Sequence, residues 1–428
     1  MKNKITIAVA GLGSRGKAYS KVLESFSDQA KVVACADILP ERVERFAEGY
    51  DIPQNMRFSS AEEMLRAGRI ADVMIIATPD RCHYREAMTA LDDGYHLLLE
   101  KPVSPILSEC FALAKKASEK SRHVIVCHVL RYTAFYRKLK SLVDSGVVGD
   151  VVSIKADEKV VYWHQAHSFV RGNWANSEKS SPMILQKCCH DMDIFHWLVG
   201  KRCVSVSSFG SLTHFKSSEA PKGATKRCTE ACPSYHTCPY SVENCYIEPA
   251  KGGKFSWPID VVTQVPTMDA LLDNLKTGPY GRCVYHCDNN VVDHQVVNAL
   301  FEDGATLSFT MCAFTSGDSG GRETYIMGTK GEIIAESGKD RIEVFVYRGK
   351  HEVYENISKE TDTFGHGGGD FGIIRDFISL IDGNGDISSS MTDINETLES
   401  HVMALAAEES RLRGGALVNT ADFIKRSV

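Results

Sequence analysis

Three glycines, Gly11, Gly13 and Gly16, form G-x-G-x-x-G directly after the apolar run Ile5–Ala10 and directly before a helical pattern. Each glycine has a physical task in that setting. Gly11 permits the tight turn, Gly13 lets a pyrophosphate approach the backbone, and Gly16 allows close helix packing, with the helix N-terminus holding the anion. Asp37 ends the next strand-like run, 21 residues after Gly16. An acid there accepts hydrogen bonds from ribose hydroxyls and repels a 2′-phosphate, so the pattern favours NAD over NADP. Arg42 nearby leaves NADP open. A glycine turn with an incidental acid is the plainer reading, and context with spacing outweighs it.

Cysteines form the second constellation. Of 14, Cys35, Cys82, Cys110, Cys127 and Cys203 stand singly, where a buried free thiol is the default. Cys228, Cys232, Cys238 and Cys245 crowd into CTEACPSYHTCPYSVENC, and Cys283 and Cys287 follow. Thiolates a few residues apart on a loop can converge on one cation. Cys283 or Cys287 could replace Cys245 as the fourth ligand, and His236 is a further candidate. The spacing suggests a structural zinc first and an iron–sulfur cluster second, against free thiols on an ordinary loop.

The elements that must position these groups fall into two textures. Through residue 125, strand-like runs at 5–10, 31–36, 72–77, 96–99 and 123–127 alternate with helical patterns at 17–25, 41–48, 61–66, 84–92 and 107–120. Such alternation means a parallel sheet covered on both faces. Beyond residue 149 the runs 151–155, 204–210, 291–298, 306–313, 323–327 and 341–347 alternate as strands of a mainly antiparallel sheet do, with hairpin turns at 301–304 and 328–331. Asp393 caps a helix carrying Ile394, Leu398, Val402 and Leu405, ended by Gly414 and Gly415. The expected fold is α/β: an N-terminal Rossmann domain, a doubly wound parallel sheet, over 1–125. A C-terminal α+β domain with an open, mainly antiparallel sheet follows over 126–428. The stretch 213–282 reads as a polar insertion with little regular structure.

Composition narrows the partners. The 428 residues are 43% hydrophobic and 24% charged, with a net charge of -6. That balance is ordinary for a globular protein and gives no electrostatic reason to bind nucleic acid or an anionic membrane. No apolar run is long enough to span a bilayer, and no export signal precedes the first strand, so the expected location is cytoplasmic.

At Glu100-Lys101-Pro102 the chain resembles the glucose–fructose oxidoreductase/inositol dehydrogenase/MocA family of NAD(P)-dependent oxidoreductases. The matching pieces are AGLGSRG, ATPDRCH at 77–83, EKP at 100–102, VLRY at 129–132, VVGDVVSI at 147–154, CHDMDIFHWLVG at 189–200 and GTKG at 328–331. They run in family order over most of the chain except 213–282. The resemblance implies an active site in the cleft between the domains and sugars, glycosides or cyclitols as substrates. It implies cofactor contacts at Gly11, Gly13, Ser14, Arg15, Gly16, Asp37, Thr78, Pro79, His83, Glu100 and Lys101. It also implies Lys101 at the nicotinamide ribose and reacting hydroxyl, and His190 as catalytic histidine. Alcohol oxidation needs a base for the hydroxyl proton, and imidazole titrates in the right range.

Many members carry an Asp four positions before that histidine; here stand Gln186 and then Lys187. Glutamine can bond a hydroxyl but cannot relay a proton, and Lys187 is a candidate second cation beside Lys101. Asp191 and Asp193 could orient His190 or merely offset the helix dipole. Arg131, Tyr132, Tyr162, Trp163, Arg171, Asn173 and Trp174 offer aromatic faces and donors for a sugar, although core packing explains the aromatics equally well. The GHGGGD segment could bring His366 and Asp370 to the cleft. The leading expectation is an NAD-dependent dehydrogenase of a ring hydroxyl. The alternatives are glycoside cleavage by oxidation, elimination, addition and reduction with a recycled cofactor, and an NAD-holding sugar sensor. A homo-oligomer is expected by analogy with relatives that pair through their open sheets.

Overall fold

The computed structural model describes residues 4–317, 321–359, 365–383 and 388–428. Strands β1 (Ile5–Ala10), β2 (Ala30–Ala36), β3 (Arg57–Phe58), β4 (Val73–Ile76), β5 (His96–Leu99) and β6 (Val124–Val126) form one parallel sheet in the order 3-2-1-4-5-6. The strands are short and almost wholly apolar because helices cover both faces. These helices are α1 (Ser14–Leu23), α2 (Pro40–Gly49), α3 (Ala61–Arg66), α4 (His83–Asp92) and α5 (Leu107–Lys120). Sequence patterning places all of them within about three residues at either end and misses only β3, whose two residues are too few to show a period.

The second sheet has nine strands: β7 (Val151–Val161), β8 (Cys203–Ser211), β9 (His294–Phe301), β10 (Thr306–Thr315), β11 (Gly321–Gly328), β12 (Gly331–Glu336), β13 (Arg341–Val346), β14 (His351–Glu355) and β15 (Val418–Asn419). Their order is 14-13-12-11-7-10-9-8-15, antiparallel except where β10 pairs with β7. Both expected hairpins are present, joining β9 to β10 and β11 to β12. One face carries the core, including Ile154, Val297, Phe309 and Ile326, packed against the helix Cys189–Val199. The opposite face leaves Phe209, Val296, Leu300 and Phe314 exposed.

Two features depart from the sequence reading. Residues 213–282 are not an irregular polar loop. They hold the helix Met268–Thr277, capped by Thr267, and bury a small core of Val242, Tyr246, Ile259, Leu271 and Leu275. These apolar residues are scattered over more than thirty positions, so no short window reveals them. The second departure is the helix Gly369–Asp382, which returns to the first sheet and buries Ile373, Ile374, Phe377 and Ile378 against Ile7, Val9 and Val22. The first domain's core is therefore completed by residues from late in the chain. Among the described residues no helix is long and apolar enough to cross a membrane.

Phe377→Ala would remove a large side chain from that shared core. The expected cost is about 3–5 kcal/mol in urea-induced unfolding, with the parallel-sheet domain losing protection from hydrogen exchange.

Candidate active site

The glycine loop joins β1 to α1. Gly11 has φ +87°, and a Cβ there would lie 2.4 Å from the Ala77 carbonyl oxygen. A Cβ on Gly16 would lie 2.0 Å from the Gly11 carbonyl oxygen. At Gly13 it would meet nothing within 4 Å. Two glycines are thus required by the fold itself, while the third keeps open ground in front of the N-terminus of α1, as a pyrophosphate needs. Asp37 stands buried at the end of β2. Its Oδ2 accepts from the Leu12 amide at 2.8 Å and its Oδ1 from the Leu39 amide at 3.0 Å, with Arg42 at 3.6 Å. The carboxylate therefore fixes the glycine loop. These residues fit a bound dinucleotide.

Arg15 points away from that ground. Its Nε donates to Glu100 at 2.9 Å, and its two terminal nitrogens donate to Asp370 at 2.6 and 3.0 Å. Tyr19 adds a hydroxyl bond to Glu100 at 2.6 Å, and His366 Nδ1 lies 3.2 Å from both Arg15 and Asp370. Burial alone would raise both carboxyl groups. Arg15 and Lys101 outweigh it at Glu100, and His366 and Arg15 outweigh it at Asp370, so both sit below the usual carboxylate range. Arg15, Glu100, His366 and Asp370 thus form one ionic tie, in which Glu100 also accepts from the Lys101 amide at 3.1 Å. The turn after β4 is tied in similarly. Thr78 donates to Glu86 at 2.5 Å, Pro79 precedes a short 3-10 turn, and the His83 nitrogens lie 2.7 Å from the carbonyl oxygens of Pro102 and Thr78.

Lys101 follows β5, and its peptide bond to Pro102 is cis. Its Nζ donates to the Gln186 carbonyl oxygen at 2.7 Å and lies 5.9 Å from the centre of the Trp174 ring. With the Gln186 amide oriented by its hydrogen-bonding partners, its side-chain oxygen accepts from Trp174 Nε1 at 3.1 Å and from Lys101 at 3.3 Å. His190 stands at the start of the helix Cys189–Val199. Burial first, then the nearby Lys101 and His128, holds its pKa well below the ordinary histidine range, so the imidazole is neutral at neutral pH. Its Nδ1 is buried without a hydrogen-bond partner.

Sequence reasoning passed over two histidines behind it. His128 makes an edge contact with His190 at 5.6 Å and with His401 at 6.1 Å, and the His401 Nε2 accepts from the Val103 amide at 2.9 Å. His128 and His401 lie in unrelated parts of the chain, so no motif announces them.

Several candidates are spent elsewhere. Arg131 donates twice to Asp193 at 2.7 Å, and both side chains are 1% exposed. This is a buried structural pair, so Arg131 is withdrawn as a substrate contact. Tyr132 is buried with its hydroxyl 3.0 Å from Thr392. Arg171 is buried beside the cysteine-rich segment and donates to the carbonyl oxygens of Arg282 and Tyr240. Asp191 is paired with Arg322 at 2.7 Å, and Lys187 with Glu158 at 3.3 Å. Arg322 also contacts Glu158 at 2.9 Å. Burial, assisted by the Glu158 charge and opposed by Arg322, pushes Asp191 up to about 6.

An aromatic wall stands beside the site. Trp163 packs on Trp257 at 5.3 Å and His164 on Trp257 at 4.9 Å, while the charges of Lys187 and Lys101 reach His164. Trp257 comes from the 213–282 segment and was absent from the sequence reading. Tyr162 is half-buried against Tyr240, and Asn173 is exposed. The expected zinc centre is corrected: among the described residues, no three His, Cys, Asp or Glu side chains gather around a single-ion site. Cys245 is buried beside Arg171, its Sγ 4.0 Å from the Pro239 carbonyl oxygen. His236 bonds to Glu243 at 2.7 Å.

Comparison with known proteins places this geometry. The model of an oxidoreductase family with an NAD-binding Rossmann fold matches residues 5–128, and that of the same family's C-terminal alpha/beta domain matches 140–411. A putative oxidoreductase, YteT of Bacillus subtilis, is 23% identical over 88% of this chain and 88% of its own length. An inositol 2-dehydrogenase of Corynebacterium glutamicum is 25% identical, over only 48% of this chain and 57% of that protein. Among solved structures, an inositol dehydrogenase homologue from Azotobacter vinelandii complexed with NAD+ superimposes with a TM-score of 0.70 at 15% identity, covering 98% of each chain. The WlbA dehydrogenase from Bordetella pertussis, in complex with NADH and UDP-GlcNAcA, gives 0.69 at 17% identity, again covering 98% of each chain. At such identities the likeness speaks for the fold.

Gly13→Val should leave the unfolding midpoint nearly unchanged, since its side chain meets open space, yet weaken NAD binding at least tenfold by calorimetry. Arg15→Met should cost about 3 kcal/mol at pH 7 by leaving buried carboxylates unpaired. Because Glu100 and Asp370 are depressed, the stability they contribute is present above the ordinary carboxylate pKa of about 4 and is lost as pH falls through their folded values. The gap between wild type and Arg15→Met in urea unfolding should therefore shrink as pH falls below about 4.

Proposed function

The chain belongs to the glucose–fructose oxidoreductase/inositol dehydrogenase/MocA oxidoreductases, and within that family we propose that it is an NAD-dependent dehydrogenase of a ring hydroxyl on a sugar, glycoside or cyclitol. The observation that carries this reading is the neutral imidazole of His190 within electrostatic reach of Lys101, which is anchored on Gln186 at the C-terminal end of a parallel strand. Ligands of open α/β sheets sit at such strand ends.

Bound NAD supplies the hydride acceptor. His190 takes the hydroxyl proton: a base kept neutral by burial and by neighbouring positive charge is ready to receive it at neutral pH. Lys101 donates to the same substrate oxygen and stabilises negative charge as it develops there. The Gln186 carbonyl and side-chain oxygens hold the ammonium in place. The Trp174 ring, with Trp163 and Trp257, offers apolar faces for a sugar ring. The buried Asp37 carboxylate favours NAD over NADP by repelling a 2′-phosphate. Among similar proteins, an inositol 2-dehydrogenase and a glucose-6-phosphate 3-dehydrogenase support a polyhydroxylated ring as substrate class.

A specific contact supports a second reading, redox-neutral glycoside cleavage with a recycled cofactor. The 213–282 segment reaches the nucleotide domain, where Gln264 accepts from Lys17 Nζ at 3.2 Å through its side chain and from Arg45 at 2.9 Å through its backbone. A bridge of this kind restrains domain opening and would slow cofactor exchange. In that reading oxidation at C3 would acidify the C2 proton, elimination would expel the anomeric substituent and water would add, with bound NAD supplying the chemistry of the opening oxidation and the closing reduction. The exposed Phe209, Val296, Leu300 and Phe314 on the open sheet face favour pairing with a second copy.

Incubation with NAD and a panel of sugars, cyclitols and aryl glycosides separates the readings. Accumulating reduced cofactor marks the dehydrogenase, and aglycone release without it marks the recycled cycle. Binding without either would leave a sensor and overturn both. His190→Ala and Lys101→Met should each lower kcat about 100-fold or more while NAD affinity changes little. The wild-type kcat/KM should hold as pH falls through the ordinary histidine range, because the depressed His190 pKa keeps the base unprotonated there.

A further inference from the structure

Hydride transfer makes no use of the cysteine-rich region, yet that region is organised. Cys228, Cys232, Cys238 and Cys283 line one small cavity, walled by Tyr235, Tyr240 and Tyr285. Cys283 is brought there by a short antiparallel bridge between Arg227 and Arg282, in which the Cys228 amide donates to the Gly281 carbonyl at 3.1 Å and the Cys283 amide to the Lys226 carbonyl at 2.9 Å. Cys245 and Cys287 lie outside the lining.

Arg171 faces the same cavity and is 1% exposed. Its Nε and Nη2 donate to the carbonyl oxygens of Arg282 and Tyr240 at 2.7 and 2.6 Å, and Nη2 also lies 3.7 Å from Cys228 Sγ. Its Nη1 is buried with no hydrogen-bond partner. Among the described residues no carboxylate pairs with this guanidinium. A buried cation without a counter-charge is strongly unfavourable.

Four thiols therefore surround a cavity into which an unneutralised arginine points, without converging on one ion. Thiolates on a single tetrahedral ion must crowd to bonding distance of one point, whereas a four-iron cluster holds its thiolates farther apart, one at each corner. We propose that Cys228, Cys232, Cys238 and Cys283 bind a four-iron, four-sulfide cluster, whose negative charge is the counter-ion of Arg171. The cluster ties the insertion to the segment around Arg282.

The test is anaerobic purification of the full-length protein, followed if needed by reconstitution with ferrous iron and sulfide. The expected result is about four iron and four labile sulfide per chain, with a broad visible absorbance that bleaches on reduction by dithionite. Cys232→Ser and Cys238→Ser should lose most of the iron, while Cys245→Ser and Cys287→Ser keep it. Arg171→Gln, in variant protein that still takes up iron, should shift the cluster's midpoint potential to a more negative value by removing the adjacent positive charge. Circular dichroism and NAD affinity distinguish loss of the cluster from loss of the fold. Stoichiometric zinc without iron, reduced thiols that take up no iron, or iron retained in Cys232→Ser would each overturn the proposal. The wild-type metal content decides the matter even where a cysteine variant fails to fold.

Discussion

Arg15 ties together three segments that are remote in sequence: the first turn of α1, Glu100 just after β5, and Asp370 in the first turn of the helix Gly369–Asp382. Each carboxylate is nearly buried, so each needs this guanidinium to remain charged at low cost. The tie sets the glycine loop, the backbone of Lys101 and the returning helix in one fixed relation. Without it the glycine loop and Lys101 would sit on elements free to move independently.

Around that frame the charges are sorted. Asp191, Glu158, Arg322 and Lys187 form a closed cluster at the helix Cys189–Val199. Arg131 and Asp193 neutralise each other inside the core. The ammonium of Lys101 and the neutral ring of His190 stand within electrostatic reach of each other. Gln186 fits this balance: it anchors Lys101 through neutral oxygens, so the ammonium is held without a counter-charge from that side chain.

The 213–282 segment serves the molecule in three places. Its small apolar core makes it a folded unit, Trp257 completes the aromatic wall, and Gln264 reaches Lys17 and Arg45 across the domain boundary. Its cysteines face the buried Arg171 on yet another side. A segment with so small a core gains most from covalent or ionic ties to its surroundings.

The sequence by itself determined the parallel sheet, the glycine turn, Asp37, the hairpins and the helix after Asp393, because each rests on local periodicity or on backbone sterics within a few residues. It also marked Lys101 and His190, through motifs on adjoining elements. Tertiary structure alone decided where charges found partners: that Arg15 serves Glu100 and Asp370, that Arg131 is buried on Asp193, and that Lys187 is held by Glu158. It alone put His128 and His401 beside His190, and brought Cys283 to Cys228 through the bridge between Arg227 and Arg282. Side-chain pairing across a fold depends on distance in space, and a charged or sulfur-bearing residue carries no local signal of which remote partner will satisfy it.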